Sequence, residues 1–183
     1  MKRAFVLWVG LYAILAAPLS AQDKPANAGT SAGGKWMEFA SKDPMTNVSK
    51  TRFELEADNL LSDSSDNKPR IDLFCKDNGK GSADFAAADF VPNVRLGPPN
   101  RPGFWGQPQL SVRVRADEKH STHGWNWMNG SFLGMDKGTV RELIDAKVFK
   151  IEFRTPAGVD IAEFSPAGLN LDRVRHACDL KPK

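Results

Sequence analysis

Cysteine is nearly absent from this 183-residue chain, which holds only Cys75 and Cys178. Two thiols without a neighbouring histidine pair cannot fill the four positions of a structural zinc site. Long runs of one charge are also missing. Without Lys2 and Arg3 the chain carries 23 basic against 22 acidic residues, so no electrostatic footprint for nucleic acid exists. There is no Gly-x-Ser-x-Gly elbow, phosphate loop or dinucleotide fingerprint. Serines are plentiful, but no spacing among them and the three histidines singles out a triad. No internal repeat and no second domain boundary is visible. By elimination the chain reads as a non-enzymatic binding or assembly protein with no cofactor. A carboxylate pair assembled in space stays open as an alternative, because glycoside cleavage requires only proximity.

What is present begins with export. Lys2 and Arg3 precede an apolar run from Phe5 to Ala17, and Leu19-Ser20-Ala21 ends on a small residue. Residues 1–21 therefore read as a secretory signal peptide. The run is shorter than the roughly 20 apolar residues of a spanning helix, so no transmembrane segment is expected after cleavage. Export places Cys75 and Cys178 in an oxidising space, where a single pair allows one intramolecular disulfide. Two free buried thiols are the other reading.

Residues 22–34 are rich in Ala, Gly, Asn, Ser and Lys and read as a flexible linker. Residues 35–183 read as one β-rich domain. Phe53 and Leu55 alternate, as do Ile71, Leu73 and Cys75. Leu110, Val112 and Val114 interleave with Ser111, Arg113 and Arg115, the pattern of a half-buried strand. A turn at Asp77-Asn78-Gly79 and a hairpin through Thr155-Pro156-Ala157-Gly158 fit between strands. Two short helices are predicted. Asp136 caps one with Val140, Leu143 and Ile144 on a shared face, and Ser165-Pro166 starts another that ends near Cys178. The expected fold is an antiparallel β-sandwich with two short helices, its last helix pinned by the disulfide.

Five of the twelve prolines fall between residues 91 and 108, which marks a long stiff loop. It carries Phe104 and Trp105. With Trp125 and Trp127, two apart on one strand face, these form the candidate binding surface for sugars or peptides. Core filling is the competing role for the tryptophans. His120 and His123 lie three apart, which on a strand sends them to opposite faces. A metal site would also need a distant third ligand such as His176, so no metal is expected.

Trp36, Lys42-Asp43-Pro44-Met45-Thr46 and the strand Arg52-Phe53-Glu54-Leu55-Glu56-Ala57 resemble the start of the type VI secretion-associated accessory family known as VasI or TagO. Ile71-Asp72-Leu73-Phe74-Cys75 is similar to that family's next strand, which ends in cysteine. Phe164, Gly168-Leu169 and Ala177-Cys178 are similar to its C-terminal pattern. Asn47 and the proline-rich stretch at 91–108 depart from it. The resemblance implies a periplasmic or secreted, non-enzymatic protein working with envelope partners beside a secretion machine. The alternative partner is peptidoglycan or another glycan, bound directly or through inhibition of a wall-degrading enzyme.

Overall fold

The computed structural model describes residues 29–62, 66–77 and 83–178. The expected signal peptide, linker residues 22–28 and the Asn78-Gly79 part of the β-turn lie outside the described residues. In chain order the elements are β1 (Thr30–Gly33), β2 (Trp36–Lys42), β3 (Ser49–Glu56), β4 (Arg70–Asp77) and β5 (Ala83–Val91). A two-residue β6 (Arg101–Pro102), β7 (Pro108–Ala116), β8 (Lys119–Met128) and β9 (Phe132–Gly134) follow. Then come α1 (Lys137–Asp145), β10 (Phe149–Thr155), β11 (Gly158–Phe164) and α2 (Leu171–Ala177). The fold is mainly antiparallel β with two short helices and one disulfide, Cys75–Cys178.

Strand alternation decides which face is buried. In β7 Leu110, Val112, Val114 and Ala116 are buried while Arg113 is exposed. Opposite them β8 and β10 contribute Trp125, Ile151 and Phe149, which are also buried. The strands form one continuous sheet in the order β1-β2-β3-β4-β5-β9-β8-β7-β10-β11, with β6 paired to β7. Its curvature follows from Phe90. Strand β10 lies four steps from β5 in that order, which in a flat sheet would separate them by roughly 19 Å. Yet the Phe90 and Phe153 ring centroids are 5.1 Å apart, and Phe164 and Trp125 both lie 6.3 Å from Phe90. The sheet is thus rolled over its apolar face, and the two layers of the expected sandwich are two halves of the same sheet.

Polar contacts close the roll. On the β11 side Asp58 donates its N–H to Glu163 O at 2.7 Å. The Asn59 side chain accepts from Glu163 N and donates to Ile161 O, both at 2.8 Å. This gives the terminal strand hydrogen-bond partners and blunts it as an edge. Buried Trp36 donates its indole N–H to Pro166 O at 2.8 Å. Nearby, the turn at Gly33-Gly34 meets the turn at Ala167-Gly168 backbone to backbone. A Cβ on Gly34 would stand 2.3 Å from Ala167 O, and one on Gly33 would stand 2.2 Å from Gly168 O. Both Gly33 (φ +101°) and Gly168 (φ +94°) occupy the left-handed region that favours glycine.

Two boundaries differ from expectation. Ordered structure includes Thr30–Gly33, inside the stretch expected as linker, because its backbone pairs with β2 although its side chains carry no apolar period. The last helix starts at Leu171 rather than at Ser165-Pro166. Asn170 is its cap, accepting from Arg173 N at 3.1 Å, while the positive φ of Gly168 breaks any helix begun earlier. Asp136 caps α1 as expected, and Val140, Leu143 and Ile144 are buried. Among the described residues no helix is long and apolar enough to cross a membrane.

Cys178 is buried where α2 ends, and its bond to Cys75 closes a loop with a sequence separation of 103. Removing a native bridge of this kind costs about 2–5 kcal/mol. At about 2–4 °C per kcal/mol for a domain of this size, Cys178→Ser should melt roughly 4–20 °C below the oxidised wild type. Reduced wild type should melt with the variant; equal melting of oxidised and reduced wild type would show that the bridge contributes nothing.

Candidate functional site

The proline-rich connection is built in two stages. Its root is tied to the core: Leu96 is buried and its N–H meets Gly130 O at 2.9 Å, and Gly97 N meets Arg154 O at 2.8 Å. Trp127 donates its indole N–H to Gly97 O at 2.9 Å. Beyond the root, the Asn100 side chain accepts from Ser111 N at 2.8 Å, and β6 pairs with β7 as Arg101↔Gln109 and Pro102↔Pro108. The tip is a tight turn. Gly103 N reaches Gln107 O at 2.7 Å, Gly106 N reaches Gly103 O at 3.0 Å, and Trp105 N donates to Gln107 Oε1 at 2.9 Å.

This turn lifts two large aromatics off the body. Phe104 and Trp105 are 87% and 86% exposed, with ring centroids 4.8 Å apart and planes at 90°. The interactions fixing their backbone are hydrogen bonds, since neither ring is packed on the core. The other two members of the predicted surface lie elsewhere. Trp125 is 0% exposed, packed against Phe90, and is corrected from binding surface to core. Trp127 shares that strand face and is half-buried, so its role is to hold the loop's root rather than to offer a free stacking face. The pattern Trp-Asn-Trp cannot distinguish these roles, because both put two rings on one side of a strand.

His120 and His123 do point to opposite faces. His120 is exposed beside Arg115 on the outer face, whereas His123 sits opposite buried Val112. The side chain of His176 lies outside the described residues. Among the described residues no group of three or more His, Cys, Asp or Glu side chains is placed to hold a metal ion. His123 instead joins a hydrogen-bonded cluster. Its Nε2 lies 2.7 Å from Ser121 Oγ, and its Nδ1 lies 3.2 Å from Asp136 Oδ2. Asp136 also accepts from Thr139 N at 2.9 Å, from the Thr139 hydroxyl at 2.6 Å and from Trp125 Nε1 at 3.3 Å. Burial pushes the Asp136 carboxyl up, but the Thr139 donors, with His123 and Trp125 beside it, more than offset this, and the net shift is downward. Sequence reasoning missed this cluster. The legible part was Ser-x-His on a strand, which puts both side chains on one face.

A row of carboxylates crosses the outer face. Glu54, Asp72 and Asp89 are directly opposed on β3, β4 and β5. Asp72 is buried and paired to Arg70 at 3.0 Å, with Arg52 at 3.9 Å. Desolvation raises the Glu54 carboxyl. It raises Asp89 as well, and the neighbouring charge of Asp72 adds to that effect.

No family model, curated protein or solved structure matches this chain. The carboxylate row yields a stability test. A carboxyl whose folded pKa is raised favours folding while protonated, and that contribution is lost as pH rises through the folded pKa. Asp89→Asn should therefore stabilise the fold at neutral pH, by under about 1 kcal/mol for a half-exposed group screened by solvent, read as a higher melting temperature. The difference should shrink when both forms are neutral below about pH 4. An Asn variant that melts lower at neutral pH would mean that the Asp89 charge has a stabilising partner.

Proposed function

We propose that this chain is an exported accessory protein that works by binding a protein partner in the cell envelope, with Phe104 and Trp105 as its anchor. One observation carries the reading: two adjacent aromatics at 87% and 86% exposure stand on a hairpin tied back to β7. Exposed aromatics of this size are costly to leave in water, and they dominate interface energetics when buried in a partner's pocket. Burying both removes on the order of 300–500 Å² from water, a gross gain of roughly 8–12 kcal/mol before the costs of association. The hydrogen-bonded hairpin reduces the ordering cost that a floppy loop would carry.

The disulfide supports a periplasmic or secreted site of work, since such bonds persist in oxidising compartments. The VasI/TagO-like arrangement of Trp36, Cys75 and Cys178 supports a place beside a type VI secretion machine. Glycan binding is the second reading, favoured by the open face of Trp105. With Trp125 in the core and Trp127 at the loop's root, that reading has one sugar-stacking platform rather than a row.

Phe104→Ala/Trp105→Ala should melt as wild type does, because surface substitutions usually stay within about 0.5 kcal/mol. Immobilised wild type should capture secretion-apparatus proteins from envelope extract, and the double variant should lose at least tenfold of that signal. Equal capture by both forms would remove the loop from the binding function. Recovery of wall fragments alone, lost in the double variant, would put the glycan reading first.

A further inference from the structure

We propose that Ser121 is an activated nucleophile, with His123 as its general base and Asp136 as the carboxylate that positions the base, and that this site transfers acyl groups from esters to water. The proposal goes beyond the binding function and departs from the sequence expectation of a non-enzymatic chain.

The geometry comes from two elements. Ser121 and His123 lie two apart on β8, opposite Val114 and Val112, and so share a face. Asp136 arrives from the N-cap of α1, fixed there by the backbone N–H and hydroxyl of Thr139. The contacts are 2.7 Å from Ser121 Oγ to His123 Nε2 and 3.2 Å from His123 Nδ1 to Asp136 Oδ2. This meets the requirement of a nucleophile within hydrogen-bond reach of a base that a third group orients.

Proton placement follows from the donor inventory. Asp136 accepts three hydrogen bonds, from Thr139 N, Thr139 Oγ1 and Trp125 Nε1, with His123 Nδ1 3.2 Å from its Oδ2. The Thr139 hydroxyl sets the tautomer: its proton goes to Asp136 at 2.6 Å, leaving a lone pair that accepts from His123 Nδ1–H at 3.1 Å. The Nε2 lone pair then faces Ser121, whose hydroxyl is the donor. A carboxylate fixing this tautomer is how a weak hydroxyl nucleophile is prepared. The Trp125 ring, 6.3 Å away and inclined at 34°, flanks the imidazole. The site is open to solvent: the His123 and Asp136 side chains are 21% and 48% exposed, and Ser121 is half-buried.

The reaction balances without any redox partner. Ser121 Oγ bonds to the ester carbonyl carbon as its proton passes to His123 Nε2. The tetrahedral adduct collapses, the carbon–alkoxy bond breaks, and the alkoxy oxygen takes the proton from Nε2 to leave as an alcohol. Water then attacks the acyl-serine, giving a proton to Nε2. The acid is released as that proton returns to Oγ.

The site is separable from the aromatic tip. Ser121 lies five residues along β8 from Asn126, which pairs with Gln109 at the root of the hairpin, a distance of roughly 17 Å at strand rise.

The test exposes the full oxidised chain to a fluorophosphonate probe and, separately, to p-nitrophenyl acetate, beside a known serine hydrolase as control. Peptide mass mapping should place the adduct on Ser121. Ser121→Ala should abolish labelling, and His123→Gln should slow labelling and turnover at least about 100-fold. Asp136→Asn keeps a good cap for α1 but gives up a carboxylate whose charge the fold favours, so it should fold and melt modestly lower than wild type. It should lose labelling and turnover, because an amide N–H in place of Oδ2 turns the Thr139 hydroxyl proton toward Nδ1 and imposes the opposite tautomer. A folded wild type that gains no adduct at Ser121 overturns the proposal, as does labelling at an equal rate in His123→Gln.

Discussion

The contact between Phe90 and Phe153 constrains nearly everything else in this molecule. A sheet with one apolar face must cover that face, and here the cover is the far half of the same sheet. Phe90 sits where β5 faces β10 and β11, and Trp125 reaches it from β8. Once those rings meet, the ends of the sheet approach one another. Pro166 then comes within reach of the Trp36 indole, and Asp58 and Asn59 meet the outer edge of β11. The disulfide adds a covalent tie across the same closure, from β4 to the end of α2.

Strand identity was legible wherever one face alternates, as at Leu110–Arg115, and so was the α1 cap at Asp136. These signals are local: a period of two, or an acidic side chain just ahead of a helical stripe. The misses share a nonlocal cause. Thr30–Gly33 is a strand because β2 lies beside it, not because its small residues prefer one. Ser165-Pro166 has the composition of a helix start, but its carbonyl is taken by Trp36 and its successor Gly168 has positive φ. Trp105 and Trp125 are the same residue type with opposite fates. What separates them is that Trp125 lies on the inner face of a rolled sheet, while Trp105 lies on a turn that leaves it.

The candidate site shows the same division. Ser121 and His123 are placed together by strand geometry that any reader of the sequence can count. Asp136 joins them only because β9 is three residues long and delivers the chain to the start of α1 beside β8. Capping and positioning thus fall to one carboxylate. Its two oxygens divide the work, Oδ1 receiving the Thr139 N–H and Oδ2 facing the imidazole. The aromatic tip, by contrast, depends on backbone pairing with β7, so its presentation is insensitive to the identity of the side chains displayed.

The meeting of Gly33-Gly34 with Ala167-Gly168 bears on how this sequence can change over generations. Most tight packing is repairable: a residue that grows can be accommodated by a neighbour that shrinks. At this junction the opposing atoms belong to the backbone, and Gly33, Gly34 and Gly168 already have no side chain to surrender. A substitution there has no compensating partner within the contact. Drift in this chain should therefore be blocked at a junction that does no chemistry at all.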